Sequence, residues 1–123
     1  VDVVIASSDD ISIGVVELLK TKGLEGKVVI TGQNADIAVI KSIINGEQSM
    51  TIYKPVKDLA YISVELADQL LKNQNPTNVK SAINNGRIDV PSILLPVKTV
   101  VKENIEDVLI KSGYYSKEQI FGK

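Results

Sequence analysis

The sequence predicts an α/β fold with helices packed on a parallel sheet. Three observations carry this. Two short apolar runs rich in β-branched residues, "VDVVIA" (1–6) and "KVVIT" (27–31), read as strands buried on both faces. Each is followed by a polar loop and a helical pattern, and the two strand-end loops lie about 25 residues apart, close to one βα unit. A third strand pattern, "SMTIYK" (49–54), then runs into Pro55 and a long amphipathic helix.

Each element has a local cause. After the first strand, "SSDD" (7–10) suits a helix start, because Ser and Asp side chains accept from the free N–H groups of a first turn; Asp9 or Asp10 is the expected cap. "ISIGVVELLKTKG" (11–23) is helical. Lys20 and Lys22 complement the dipole in its last turn, and Gly23 is placed to end it. After the second strand, "GQNAD" (32–36) leads into "IAVIKSIING" (37–46), closing at Asn45-Gly46. Pro55 suits a first helical position, and Leu59, Ile62, Leu66 and Leu70 recur at helical spacing over 55–72. "NQNPTN" (73–78) is a loop, and "VKSAINNGRIDV" (79–90) predicts a hairpin around Asn84-Asn85-Gly86, residues that tolerate positive φ. Pro91 and Pro96 bracket "SILL" (92–95), which predicts an edge strand or an extended crossing segment. "ENIEDVLIKSG" (103–113) predicts a short closing helix.

Composition narrows the function. At 123 residues the chain suffices for one modest domain, with ordinary shares of 44% apolar and 24% charged residues. Fourteen basic residues against fifteen acidic ones, without a basic stripe, argue against nucleic acid as a partner, since phosphate neutralisation needs clustered Lys and Arg. The chain has no Cys and no His, which removes disulfides, thiolate chemistry, the commonest metal ligand and the commonest neutral-pH base. No cofactor is expected. No apolar run approaches the ~18 residues of a membrane span. The chain opens inside a strand pattern without Met and reads as a piece of a longer protein, so its first residues say little about targeting.

In an open parallel sheet, ligands bind beyond the carboxyl ends of the strands. Three segments lie there: Ser7 to Asp10, Gly32 to Asp36, and Tyr53-Lys54-Pro55. Their hydroxyls, amides, carboxylates and single ammonium can hydrogen-bond a ligand rich in hydroxyl groups, with three donors on Lys54 and both donors and acceptors on Gln33 and Asn34. Each also has a purely structural reading: Asp9, Asp10, Asn34 or Asp36 as a helix cap, Ser7 and Ser8 as partners of loop backbone, Lys54 as a solvated turn residue. Convergence of three strand ends favours the binding reading. Catalysis has less support. Ser7 and Ser8 lack a base and a Gly-x-Ser-x-Gly elbow, and no phosphate-cradling glycine loop is present. Asp9-Asp10 suggests a Mg²⁺-dependent phosphoryl receiver, but the second strand ends in Gly-Gln-Asn, without the acceptor Asp.

"VDVVIASSDD" (1–10), "GLEGKVVITGQNADIAVIKSIINGEQSMTIYKP" (23–55) and "NNGRIDVPSILLPVKTVVKENIEDVLIKSGYY" (84–115) resemble the C-terminal part of the D-xylose-binding branch of type I periplasmic sugar-binding proteins, the extracytoplasmic receptors of sugar ABC importers. The resemblance spans essentially the whole chain. It implies a three-layer αβα lobe with a parallel sheet, within a two-lobed protein that closes on a monosaccharide. This chain would supply about its last half, and the missing N-terminal half would be its first partner. Residues 1–53 would then be the second part of the C-terminal lobe, 54–90 a hinge crossing and a helix packed on the N-terminal lobe, and 91–123 the return crossing and closing segment. It also implies three sugar contacts: Ser8, where the family has Asn; Asn34, where it has Asp; and Lys54, which is kept. Asp9 and Gln33 are further candidates.

Both departures bear on the ligand. Asn34 removes the charge that would accept charge-assisted bonds from sugar hydroxyls, and Ser8 loses bidentate reach. Recognition of the pentose is then weaker, water-mediated or shifted to another ligand. The leading expectation is a non-enzymatic, extracytoplasmic receptor for xylose or a similar sugar that feeds an ABC permease. A relative that reports sugar to a membrane sensor kinase, and the ligand-sensing domain of a transcription repressor, are the alternatives.

Overall fold

The computed structural model describes residues 1–122 and divides into two compact units. One comprises Val1–Lys54 with the chain from Val97 onward, the other Pro55–Pro96. In the first unit, strand β1 (Val3–Val4) runs parallel to β2 (Val29–Ile30), with Val3 opposite Val29. Strand β3 (Thr51–Tyr53) pairs antiparallel with β6 (Lys98–Val100), with Ile52 opposite Thr99. The chain entering β3 is tied to β2, because Ser49 N and Met50 N donate to the Ile30 carbonyl and Ile30 N donates to Ser49 Oγ.

The first two strands are not buried on both faces, as the apolar runs predict. Val1, Val3, Ile5 and Val29 are exposed, whereas Val28 and Ile30 are buried against Val16. Among the described residues, no element of this unit covers the second face. The main core lies around helix α2 (Ile37–Ile44), which buries Val39, Ile40 and Ile43 together with Tyr53, Val100 and Leu109. Each such fully buried aliphatic side chain stabilises by roughly 1.5–3 kcal/mol.

Helix α1 (Asp9–Thr21) begins one residue earlier than an Asp9 cap requires and two earlier than an Asp10 cap requires. Ser8 is the cap, with its Oγ accepting from Ile11 N, while Asp9 is inside the helix and turned into the protein. Its C-terminus closes as expected: Gly23, at φ +63°, donates to the Lys20 carbonyl and Leu24 to that of Leu19. The segment 103–113 is not one α-helix. A 3₁₀ turn (Lys102–Asn104) leads into a π-helix (Glu106–Ile110), whose wider turn carries Val108 and Leu109 into the core. A last helix, α4 (Lys117–Phe121), starts at a reciprocal Ser116–Gln119 capping box and buries Ile120.

The second unit holds helix α3 (Val56–Leu71) and a hairpin of β4 (Ser81–Asn84) and β5 (Asp89–Ser92). Pro55 precedes the helix rather than occupying its first position; its carbonyl accepts from Leu59 N. The hairpin loop is 85–88. Asn85 Oδ1 accepts from Arg87 N and Ile88 N, Asn84 Oδ1 accepts from Gly86 N, and Gly86 takes φ +89°. Pro91 lies within β5, opposite Ala82. "SILL" forms no strand beyond Ser92.

Candidate functional site

The polar residues singled out in the sequence lie where the chain leaves β1, β2 and β3. Hydrogen bonds join the first two loops: Gln33 Nε2 donates to the Ser7 carbonyl at 3.1 Å, and Asp9 N to the Gln33 carbonyl at 3.0 Å. A third bond, from Asn34 N to the Ile52 carbonyl at 3.0 Å, ties the second loop to β3. Ser8, Gln33 and Asn34 are thereby brought to one end of the sheet, each half-buried, and Lys54 follows β3 directly as an exposed residue. Among the described residues, no hydrogen bond within the chain engages the Asn34 carboxamide or the Lys54 ammonium.

Asp9 behaves differently. Its side chain is fully buried, Oδ2 accepts from Asp36 N at 2.7 Å, and Oδ1 accepts from the Thr51 hydroxyl at 2.8 Å. Bonds to a charged acceptor are each worth about 1.5–3 kcal/mol. The start of α1, with its partial positive charge, adds to them. Asp9 thus ties the start of α1 to the second loop and to β3 from within, its carboxylate engaged by groups of the chain itself. Gly32 makes this possible: a Cβ there would lie 2.2 Å from Asp9 Oδ1 and 2.7 Å from Gln48 Nε2, so only glycine leaves room.

The loop that the clamp holds is strained. Asn34 has φ +130° and Ala35, fully buried, φ +59°. A non-glycine residue in such a region costs about 1–3 kcal/mol and persists only where its surroundings over-determine it. They do so here. Ala35 N donates to Thr51 Oγ1 at 3.4 Å, and the Tyr115 hydroxyl donates to the Ala35 carbonyl at 3.1 Å. Thr51 and Tyr115 were not among the sequence candidates. Thr51 carries a readable signal, since it alternates with Tyr53 on the buried face of β3. Tyr115 carries none, being 80 residues from its partner.

Two groups in this region titrate away from their ordinary values. Burial, reinforced by the nearby Asp9 and Asp10 carboxylates, raises Asp36. Tyr115 is pushed up to about 12, first by burial and then by Tyr114 and the carboxylates of Asp36 and Asp9. Tyr53, Tyr114 and Tyr115 form a continuous aromatic group, with ring centroids 4.7 Å and 4.6 Å apart. Tyr53 is buried and Tyr114 and Tyr115 are half-buried, so this group packs beneath the strand end and supports it. The arrangement presents a hydroxyl, two carboxamides and a downstream ammonium, a set matched to a neutral polyhydroxylated ligand.

Comparison with known proteins follows the same lines. The profile of a family described as "Periplasmic binding protein domain" matches residues 1–75. The chain is 45% identical over 121 residues to a D-xylose-binding periplasmic protein of Haemophilus influenzae, covering 98% of this chain and 36% of the relative. A protein of the same description from Escherichia coli is 43% identical, again over 98% of this chain and 36% of the relative. Among solved structures, a carbohydrate transporter solute-binding protein from Chloroflexus aurantiacus, in complex with D-glucose, superimposes with a TM-score of 0.84 at 35% identity, covering 95% of this chain and 34% of that one. The chain therefore spans about a third of the length of these relatives, where the resemblance implied about half.

Proposed function

Since the chain belongs to the periplasmic binding protein family, with the type I sugar-binding fold, we propose that it is part of an extracytoplasmic receptor that binds a monosaccharide without transforming it. D-xylose is the first candidate and D-glucose the second, after the relatives at 45% and 35% identity. The two sugars differ only by a hydroxymethyl group on the ring. The observation that carries the reading is the Asn34 loop: a strained turn, held by bonds from other elements, with a carboxamide left free at the sheet end where ligands bind in open α/β folds.

In this proposal Ser8 and Asn34 exchange hydrogen bonds with sugar hydroxyls, and Gln33 holds the Ser7 carbonyl in place. Lys54 donates where the chain passes from one unit to the other. The loaded receptor delivers the sugar to an ABC importer. The neutral Asn34 gives a weaker acceptor than a carboxylate, which favours moderate affinity over tight, single-sugar selection.

Thermal unfolding of the full-length protein, titrated with D-xylose and D-glucose, tests this. A sugar that binds only the folded state, at ~100 times its Kd, stabilises by about 2.7 kcal/mol and raises the melting temperature visibly. A shift with either sugar supports the receptor reading and ranks the two; absence of a shift with these and other common monosaccharides would overturn it.

A further inference from the structure

We propose that Asp9, Thr51 and Tyr115 form a positioning network for ligand recognition, fixing the Asn34-Ala35 turn from below so that the Asn34 carboxamide is presented to sugar already oriented. The inference rests on the reading of Asn34 as a ligand contact and adds the residues that decide whether that contact forms.

Three successive amides of the turn each donate to a different group: Asn34 N to the Ile52 carbonyl, Ala35 N to Thr51 Oγ1, and Asp36 N to Asp9 Oδ2. The Ala35 carbonyl receives the Tyr115 hydroxyl. The Thr51 hydroxyl is the joint of the network, because it accepts from the turn and donates to Asp9 Oδ1. Asp9 and Thr51 are fully buried, and the two bonds of the Thr51 hydroxyl are shielded from water. The turn needs them, since Ala35 has a left-handed φ of +59° without the side chain that eases it, and Asn34, at φ +130°, lies outside the left-handed region that Asn tolerates. Released, the turn would relax toward ordinary backbone angles, and a free Asn34 would have to be ordered again on binding, at the expense of affinity.

The test is a double-mutant cycle on the full-length protein. Kd is measured calorimetrically with D-xylose and D-glucose, at one temperature well below the melting point of every variant. Thr51→Val removes the hydroxyl at nearly constant volume, and Thr51→Ser keeps it. Asn34→Ala removes the presented group. Thr51→Val is expected to weaken binding about tenfold, Thr51→Ser to restore it, and Thr51→Val in the Asn34→Ala background to add little further loss. Tyr115→Phe, a milder change, is expected to weaken binding in the same non-additive way and serves if Thr51→Val fails to fold. If Asn34→Ala weakens binding but Thr51→Val and Tyr115→Phe lower only the melting temperature, or their losses add fully to that of Asn34→Ala, the network is merely structural and the inference falls. If Asn34→Ala leaves Kd unchanged, the ligand-contact reading itself fails, a result distinct from the former.

Discussion

Residue by residue, the first unit is held by a few polar groups placed inside it. Tyr115 shows the effect most simply. Its hydroxyl donates to the Ala35 carbonyl, and its proton is held up to about 12, above the ordinary value of 10.0. The native state therefore binds this proton more tightly than the unfolded chain does. Its contribution to stability is complete below pH 10.0 and is lost as pH rises through about 12. Tyr115→Phe should cost about 0.5–1.5 kcal/mol at neutral pH in chemical denaturation, and it should flatten the stability decline between those two pH values. Asp36 has the same sign at the acid end. Its raised pKa, caused first by burial and then by Asp9 and Asp10, means that stability falls as pH rises from 3.8 through the folded-state value. The Asp36 side chain makes no capping bond at the start of α2, so Asp36→Asn forfeits none. The variant should be more stable than the parent at pH 7, and the difference should vanish below pH 3.8 in a urea titration series.

At the scale of elements, local chemistry explains the ends better than the middles. Gly23 and Gly46, with φ of +63° and +78°, end α1 and α2 at the positions the sequence predicts, because a left-handed residue there lets the last carbonyls be satisfied. The hairpin turns where Asn84-Asn85-Gly86 predicts, with Gly86 at φ +89° and both asparagine side chains accepting from loop amides. A side chain on residue 86 would meet no atom, so the cost of Gly86→Ala is conformational alone. It should amount to about 1–2 kcal/mol of hairpin stability, read as faster hydrogen exchange across β4 and β5 with little change in α1 or α2. Helix α3 follows its predicted span to within a residue or two at each end. The segment 103–113 does not, because its apolar residues meet the core at the wider spacing of a π-helix, which helical periodicity alone does not disclose.

On the scale of the whole molecule, the two units differ in what supports them. Unit 1 owns a core. Unit 2, Pro55–Pro96, has no buried residue; Val56, Val64 and Leu71 of α3 are exposed, the last at 85%. One amphipathic helix and a two-stranded hairpin bury too little apolar surface to offset their chain entropy. A peptide of residues 55–96 should therefore show little helical circular dichroism in water, whereas α3 should be fully protected from hydrogen exchange in the full-length protein. A stably helical isolated peptide would refute this account. No helix among the described residues is long and apolar enough to cross a membrane, so the exposed face of α3 is not a span.

The sequence by itself determined the α/β class, the succession of strand and helix from β1 to α3, the glycine-terminated helices, the hairpin, and the residues Ser8, Gln33 and Asn34 that meet at one end of the sheet. These follow from local rules: periodicity, capping and turn preferences act over a few residues and are written in order along the chain. Only the tertiary structure decided that Ser8 rather than Asp9 or Asp10 caps α1 and that β3 pairs antiparallel with β6. It alone also showed that the first two strands keep one face uncovered and that Asp9 is a buried clamp. The clamp joins Asp9 to Thr51 across 42 residues, and Tyr115 reaches Ala35 across 80. Whether a carboxylate faces water or the interior depends on which distant amides and hydroxyls the fold brings to it. That cost of burial is settled only when the partners arrive together.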